Sequence, residues 1–257
     1  MNIVEYHKIL LEMLKDFAEM CEQNHLTYFL VGGSALGAVR EKGFIEWDDD
    51  VDIGLPRKDY DKLKEIIPRQ FGEKYELRYR QNACIYHFLK KDMKIDFSKV
   101  NVSGKGRIGY PFIDLFPIDG APNNRFLRWA HMTKILFYTY LHKFACIQMC
   151  VEHEGRSRLG NGVIRGAHIL HTEKFLSARK SAKLWMRAAE KYSYAHSKWC
   201  VIAFGSYKYH DIFPKSWVGK GKKVPFEDTQ FRIFSYCEGY LRQLYGEDYM
   251  IPHKRAH

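Results

Sequence analysis

One stretch, Tyr28–Asp61, constrains the fold of this chain more than any other part of the sequence. It opens with an apolar run, YFLV, which is followed by Gly32, Gly33 and Ser34 and then by a short segment with helical character, Ala35–Arg40. Glycines and a serine at the start of a helix expose backbone N–H groups at the positive end of the helix dipole, where a phosphate group can bind. The pattern therefore predicts a phosphate-binding turn between a buried strand and a helix.

The same stretch continues into a group of four aspartates that we expect to lie on or beside a strand. In residues 50–54, DVDIG, acidic residues alternate with apolar ones, which is typical of a half-buried strand. Because side chains alternate along a strand, Asp48, Asp50 and Asp52 should point to one face. Asp49 should point to the other face. Carboxylates this close repel one another unless a cation neutralises them, so the pattern predicts a site for a hard divalent metal ion.

Each half of this pattern has a plain structural explanation when it is taken alone. A Gly-Gly-Ser sequence before a helix is most often only a turn, and a run of acidic residues is most often a solvated loop. The order of the two pieces, with apolar residues between the acids, is more specific than either piece. Together they favour a phosphoryl-transfer site.

A further carboxylate for the same site is expected from Phe112–Asp119, FIDLFPID. Asp114 stands between two large apolar residues of a predicted buried strand, where a carboxylate is unfavourable unless it binds something. Asp96, in KIDFSKV, is the competing third carboxylate and ranks behind Asp114. Asp119 is predicted to lie in a turn and to have a structural role.

Three motifs together resemble those of the LicD family of phosphocholine transferases, and fukutin-type proteins share the pattern. The first is GGSALGAVR…GFIEWDDDVDIGLPRKDY, the second is FIDLFPID, and the third is the closing segment VPFED…YLRQLYGEDYMIPHKRAH. The resemblance runs from about residue 28 to the last residue and is weakest between about residues 121 and 215. The sequence departs from the family pattern at Glu46, where a proline is commoner, and it has no proline within Phe231–Phe234.

The resemblance implies an α+β fold, in which a nucleotidyltransferase-like mixed β-sheet core is flanked by helices and followed by a mainly helical C-terminal part. We expect residues 1–120 to form the catalytic core, and residues 121–257 to form a basic part that binds donor or acceptor and packs on the core. The charges divide at the same place, since residues 1–120 carry a net charge of −2 and residues 121–257 one of +13. A basic surface suits a nucleotide diphosphate, an anionic glycan or a membrane face.

The resemblance also assigns roles to individual residues. Asp50, Asp52 and Asp114 are the expected catalytic residues. Together with Asp48, which could instead act from outside the coordination shell, they are expected to hold Mg²⁺ or Mn²⁺. The residues expected to bind substrate are Gly32, Gly33, Ser34, Arg40, Lys90 and Glu227. For Arg40 and Lys90, a solvated surface charge is the alternative.

The implied reaction is transfer of phosphocholine, or of a related phospho-alcohol, from a CDP-linked donor to a hydroxyl group of a cell-surface glycan, with release of CMP. The implied donor is CDP-choline, other CDP-alcohols stay open, and the glycan acceptor is either free or lipid-linked. Two other functions also stay open from the sequence. One is a conventional nucleotidyltransferase that uses an NTP and releases pyrophosphate, and the other is a non-catalytic protein that binds a glycan or a membrane.

Composition and local sequence patterns indicate where the protein is expected to be located and which partners it is expected to bind. The six cysteines include no CxxC pair, so neither a disulfide framework nor a zinc site is expected. The start of the chain lacks the layout of a signal peptide, and no nucleic-acid-binding motif is present. We therefore expect a cytoplasmic protein that does not bind nucleic acid, with peripheral contact to the inner face of the membrane as an option. The apolar segment 122–151 predicts a helix, buried rather than interfacial, with too many charges to span a membrane.

Overall fold

The computed structural model describes residues 1–97, 108–147, 162, 165–166, 169 and 175–252 of the 257-residue chain. The helices bounded within these residues are α1 (Ile3–Gln23), α2 (Gly32–Arg40), α3 (Arg57–Ile66), α4 (Arg125–Ala145), α5 (Ala178–Ala189), α6 (Lys215–Val218) and α7 (Cys237–Tyr245). The strands are β1 (Phe29–Leu30), β2 (Asp52–Pro56), β3 (Tyr75–Arg80), β4 (Ile85–Lys90), β5 (Ile95–Asp96), β6 (Ile108–Gly109), β7 (Phe112–Ala121), β8 (Trp199–Val201), β9 (Ile212–Pro214), β10 (Lys222–Phe226) and β11 (Thr229–Ile233).

The central sheet has the strand order β1–β2–β7–β4–β3, with β8 and β9 continuing from the last residues of β7. β2 and β7 are parallel, and the other neighbours in the sheet are antiparallel. The long strand β7 pairs with three different strands and so links the whole sheet. Strand β2 is buried after its first residue, as expected for an apolar strand at the centre of a sheet.

Helix α1 packs against this sheet. The side chain of Asn2 accepts a hydrogen bond from the N–H of Glu5, and the Glu5 carboxylate accepts one from the N–H of Asn2, so both ends of this capping box are formed. The apolar side of α1 is buried, and Phe17 packs edge-on against Phe88 of β4 with ring centroids 5.2 Å apart. Apolar residues recur at helical spacing over residues 3–24, which predicts an amphipathic helix. The structure confirms this helix, which ends one residue earlier.

The second half of the chain completes the same apolar core. Phe234, which follows β11, packs on Phe29 of β1 with ring centroids 5.1 Å apart, and Tyr240 of α7 is buried in the same cluster. The predicted α+β fold is confirmed, and the second half supplies β8–β11 in addition to its helices. The division at residue 120 stays a prediction, because shared packing does not by itself decide where a domain boundary lies.

Helices α4 and α5 form a layer of their own, which we call the α4–α5 layer. Met132 and Ile135 of α4 pack near Trp185 of α5 in a second buried cluster. His142 is fully buried, and its two ring nitrogens each lie 2.8 Å from an oxygen, one in the Ser181 hydroxyl and one in a main-chain carbonyl. Buried polar groups in this layer are thus largely paired within the protein.

The outer side of α4 is not covered. Phe126 is 82% exposed and Trp129 is 62% exposed, so the expectation of a buried helix is correct for one side of α4 only. Residues 148–151 of the predicted helix lie outside the described residues. Among the described helices, none combines the length and the apolar character that crossing a bilayer requires. The described cysteines are buried and form no disulfide bond with one another, namely Cys21, Cys84, Cys146, Cys200 and Cys237.

Candidate active site

Three side chains lie in one row across neighbouring strands of the central sheet. Asp52 of β2 is opposite Asp114 of β7 in the parallel pair, and Asp114 is opposite His87 of β4 in the antiparallel pair. Residues that are directly opposite each other place their side chains on the same face. Carboxylate oxygens of Asp50, Asp52 and Asp114 all lie within 4.8 Å of one another. The sheet thus brings together the three predicted catalytic residues, which we call the carboxylate cluster.

Asp114 is the most enclosed member of the carboxylate cluster. Its Oδ1 atom is buried and has no hydrogen bond within the described residues. Nε2 of His87 lies 2.7 Å from this oxygen, but the two atoms do not form a hydrogen bond. A buried carboxylate oxygen without a donor is unfavourable, and three converging carboxylates form the all-oxygen donor set that Mg²⁺ and Mn²⁺ prefer. The residues present therefore fit a hard divalent metal ion.

Burial and mutual repulsion disfavour negative charge on the carboxylate cluster. The pKa of Asp52 is raised well above its usual range, first by burial and then by the neighbouring charges of Asp50 and Asp114. The pKa of Asp50 is raised by burial and by the charges of Asp48 and Asp114, while the charge of Arg80 opposes the shift. A cation between the carboxylates would relieve this repulsion.

The aspartates before Asp52 are not on a strand, and this corrects one prediction. β2 begins at Asp52, and residues 48–50 form an irregular segment. Strand alternation therefore does not apply, and oxygens of Asp48, Asp49 and Asp50 also lie within 4.8 Å of one another. The prediction that Asp49 points away from its neighbours is wrong. Helix α1 holds this segment, because the ring of His7 donates a hydrogen bond to the carbonyl of Asp48 at 2.6 Å.

The glycine turn lies directly against these acids. Gly32 opens α2 with a φ of +54°, in the left-handed region that glycine adopts without strain. A Cβ atom on Gly32 would lie 2.9 Å from Oδ2 of Asp52, and one on Gly33 would lie 2.7 Å from Oδ2 of Asp48. A side chain at either position would push a carboxylate out of place. Glycine is therefore required where the acids approach the start of the helix.

Two hydrogen bonds join the glycine turn to distant parts of the fold. Ser34 Oγ accepts a hydrogen bond from the N–H of Asp52 at 2.8 Å and so ties α2 to β2. The N–H of Gly32 donates to the hydroxyl of Tyr240 on α7 at 3.1 Å. Gly32 and Ser34 are both buried, and of the three predicted phosphate-binding residues it is Gly33 that lines an open cleft.

The cleft beside Gly33 has a volume of about 170 Å³, and Asp48 and Arg40 also line it. Arg40 lies at the end of α2. Its Nε atom pairs with the carboxylate of Glu41 at 2.7 Å, and its Nη1 atom donates to the carbonyl of Tyr249 at 3.2 Å. The structure thus places Arg40 beside the acids, in an orientation fixed by two neighbours.

Two other predicted binding residues lie elsewhere. The ammonium group of Lys90 pairs with Glu12 at 3.1 Å and with Asp92 at 3.4 Å, on the face of β4 that packs against α1. Glu227 accepts a hydrogen bond from the N–H of Phe44 at 3.0 Å. The structure does not bring either residue to the carboxylate cluster. Lys90 links α1 to the sheet, and Glu227 holds the loop that leads to the acids.

Of the two candidates for the third carboxylate, Asp114 is the one in the cluster. Asp96 lies on the separate two-stranded ribbon β5–β6 and belongs to neither group of acids. Asp119 lies on β7 and not in the predicted turn. It forms two hydrogen bonds with the guanidinium group of Arg57, at 2.8 and 2.6 Å, which fits its predicted structural role.

Sequence reasoning missed His87 and Arg80. The ring of His87 stacks on Phe112 with centroids 4.3 Å apart, and a guanidinium nitrogen of Arg80 lies 3.5 Å from His87 Nε2. The strand sequence IYHFLK contains a polar residue in an otherwise apolar pattern, which was an available signal for His87. Only the pairing of β4 with β7 shows that this residue meets Asp114.

Comparison with known proteins supplies independent findings. Residues 25–150 match the family model described as LicD/FKTN/FKRP, nucleotidyltransferase domain. The chain is 24% identical to the lipopolysaccharide cholinephosphotransferase LicD of Haemophilus influenzae, in an alignment that covers 98% of this chain and 93% of that protein. It is 31% identical to an uncharacterized protein of Rickettsia prowazekii, in an alignment that covers 42% of this chain and 44% of that protein. Residues 25–150 are therefore a domain of the LicD family, and the similarity to LicD extends over nearly the whole chain.

Proposed function

We propose that this protein is a metal-dependent phosphotransferase that moves phosphocholine from CDP-choline to a hydroxyl group of a cell-surface glycan and releases CMP. A related phospho-alcohol on a CDP-linked donor is the variant of the same reaction. The observation that carries the proposal is the carboxylate cluster, in which the buried Oδ1 of Asp114 accepts no hydrogen bond from a described residue, directly beside a glycine turn that lines a cleft. The name of the Haemophilus relative, a cholinephosphotransferase acting on lipopolysaccharide, supports the choice of substrates.

In this proposal Asp50, Asp52 and Asp114 hold Mg²⁺ or Mn²⁺, with Asp48 as a fourth candidate ligand. Bound there, the ion neutralises charge on the diphosphate of the donor and on the departing nucleotide. Asp50 belongs to both groups of acids, one with Asp52 and Asp114 of the sheet and one with Asp48 and Asp49 of the segment before β2. An ion held by Asp50 would therefore lie close to both groups.

The donor diphosphate is bound by the start of α2 and by Arg40. The N–H groups at a helix N-terminus and a guanidinium group are both strong partners for phosphate oxygens. Gly33 and Arg40 line the same cleft from opposite ends of α2, and Asp48 lines it as well. The acceptor hydroxyl loses its proton as it attacks phosphorus, and Asp114 is the candidate to take that proton unless it serves only as a ligand.

The acceptor is expected to meet the basic second half of the chain. Arg179, Lys180, Lys183 and Arg187 are exposed on α5. These charges suit an anionic glycan, including a lipid-linked one presented at the inner face of the membrane. This part of the proposal places the protein in the cytoplasm, with peripheral contact to the membrane.

The test is to incubate the purified protein with CDP-choline or with CTP, each with Mg²⁺ and with EDTA, and to measure CMP and pyrophosphate. We expect Mg²⁺-dependent CMP release from CDP-choline and no pyrophosphate from CTP. Pyrophosphate from CTP would instead support a conventional nucleotidyltransferase. If neither substrate reacts in the presence of a glycan acceptor from cells of the same source, a non-catalytic binding protein becomes the better explanation. A panel of CDP-alcohols then identifies the preferred donor.

A further inference from the structure

The cleft beside Gly33 has a second feature that the proposed reaction does not yet use. Four aromatic side chains line it, together with the carboxylate-bearing residue Asp248. Three of the rings, those of Trp47, Tyr207 and Tyr245, are half-buried, so they help to form the protein surface and still face the cleft. The fourth ring is that of Tyr249.

We propose that this aromatic part of the cleft is a binding subsite for the quaternary ammonium group of the donor. The inference rests on the proposed function, which it deepens by assigning the residues that select the alcohol. The faces of Trp and Tyr rings carry negative electrostatic potential and attract a cation that cannot form hydrogen bonds. Asp48 and Asp248 add negative charge to the same lining.

The charges in the cleft also match the shape of the ligand. Phosphocholine carries a negative phosphate and a positive ammonium group joined by two carbons, so one cleft must accept both charges. The N–H groups at the Gly33 end of α2 suit the phosphate, and Arg40, at the other end of α2, adds a positive charge to the lining. The four rings and Asp248 suit the cation, and all of these groups belong to one lining of about 170 Å³.

Two of the four rings of the subsite, those of Tyr207 and Tyr245, hold each other in place before any ligand binds. Tyr207 and Tyr245 pack edge-to-face with centroids 5.3 Å apart, and their hydroxyl groups are hydrogen-bonded at 2.6 Å. The N–H of Tyr207 donates to the buried carboxylate of Asp211 at 2.8 Å, and the carbonyl of Tyr249 accepts from Arg40. Fixed rings lose little conformational entropy on binding, so their attraction for a cation is largely retained.

A cytosine ring is the other group that aromatic side chains could bind here. A base is recognised by stacking together with hydrogen bonds to its polar edge, and it carries no positive charge. The carboxylates in the lining favour the ammonium group, and the experiment is designed so that the base gives a different result.

The test compares CDP-choline with CDP-3,3-dimethylbutanol, in which a neutral carbon replaces the nitrogen without changing the shape. For the wild-type protein we expect KM from CMP release to be about 3- to 30-fold lower for the charged donor. Trp47→Leu and Tyr245→Leu should reduce this ratio towards one, whereas Tyr245→Phe keeps the ring and should keep the ratio. Trp129→Leu, on the exposed side of α4, is the matched control and should behave as the wild type.

Three outcomes overturn the subsite. The first is turnover of both donors with equal KM by the wild type, which leaves the proposed function standing. The second is an unchanged KM ratio in Trp47→Leu, whose folding is checked by thermal denaturation. The third is an equal loss of affinity for CMP and CDP-choline in the ring variants, which assigns the rings to the base.

Calorimetry keeps the two proposals separable if CDP-choline is not turned over. Phosphocholine and its neutral isostere are titrated into the wild type and into Trp47→Leu with Mg²⁺ present. Tighter binding of phosphocholine to the wild type, lost in the variant, supports the subsite even though the proposed function has failed. Equal affinities for the two ligands refute the subsite.

Discussion

The carboxylate cluster and the α4–α5 layer both contain buried polar side chains, but they stabilise them differently. In the α4–α5 layer, both ring nitrogens of His142 lie 2.8 Å from a protein oxygen. At the carboxylate cluster, Oδ1 of Asp114 has no hydrogen bond within the part of the chain that the structure describes. The buried polar groups of the α4–α5 layer find hydrogen-bond partners within the protein, so this layer needs no ligand. The cluster, in contrast, stays electrostatically incomplete without a ligand.

One residue of the α4–α5 layer tests this distinction. Nδ1 of the buried His131 also has no hydrogen bond to any described residue. However, its Nε2 donates to the carbonyl of Ala188 at 2.8 Å, and burial lowers its pKa, which favours the neutral ring. An unpaired acceptor on a neutral ring costs much less than an unpaired oxygen in a group of carboxylates. Charge, more than burial, separates the two regions.

The largest expected effect comes from removing one charge of the carboxylate cluster. Asp52→Asn keeps the shape of the side chain but removes a metal ligand, so kcat/KM for CMP release should fall on the order of 10²- to 10³-fold. The melting temperature should not fall, because repulsion within the cluster is reduced. Asp61→Asn, which alters an exposed pair with Lys64, is the matched control and should retain full activity. Full activity of Asp52→Asn would show that the cluster is not the catalytic site.

A pair of histidine variants compares the two regions directly. His87→Ala should lower kcat roughly 10-fold and raise the Mg²⁺ concentration needed for half-maximal activity, because Asp114 loses the neighbour that positions it. His87→Gln should restore part of this loss. His131→Ala should lower the melting temperature and leave kcat and the Mg²⁺ requirement unchanged. Equal kinetic losses in both alanine variants would mean that the two buried histidines do not differ in role.

A pair of glycine variants compares the glycine turn with a glycine that lies outside both regions. Gly32→Ala introduces a Cβ 2.9 Å from Asp52 at a positive φ, so the free energy of unfolding should fall by about 1–2 kcal/mol. No atom of a described residue lies within 4 Å of a Cβ added to Gly166, so Gly166→Ala should be neutral or slightly stabilising. Urea denaturation measures both. A loss of stability in Gly166→Ala as large as in Gly32→Ala would contradict the strain argument.

The smallest expected effect is a pH dependence that arises from a carboxylate outside both regions. Burial raises the pKa of Asp211 to about 7, while its hydrogen bonds from backbone N–H groups act in the opposite direction. Because the folded protein binds this proton more tightly than the unfolded chain does, the contribution of Asp211 to stability is complete at low pH and is lost as the pH rises through about 7. Between pH 6 and pH 8 the loss should be about 1 kcal/mol. Denaturant titrations of Asp211→Asn should show a smaller fall over the same range, and an identical fall would exclude Asp211 as its source.

Much of the candidate site was predictable because its information is local. The glycine turn and the alternating acids lie within one stretch, and the position of Asp114 among apolar residues identified it as unusual. Helix α1 and strands β3 and β4 follow from amphipathic patterns that need no tertiary context. The family resemblance then assigned expected roles to the individual residues.

What the sequence could not predict is set by strand register and by packing. Alternation shows which side chains share a face, but not which partner that face meets. For this reason His87 was missed and Lys90 was assigned to the site, although it points towards α1. The misplacement of Asp49 has a different cause, since the strand begins two residues later than the pattern indicated.

The hydrogen bond from Gly32 to Tyr240 has a consequence for any attempt to produce residues 1–120, which carry the acids, as a separate protein. The two residues are separated by 208 positions, so the start of α2 is held by a hydrogen bond to the distant helix α7. A truncated protein ending near residue 120 would leave that amide facing the apolar space vacated by α7. The arrangement of the glycine turn therefore depends on the intact polypeptide and not only on the part that carries the acids.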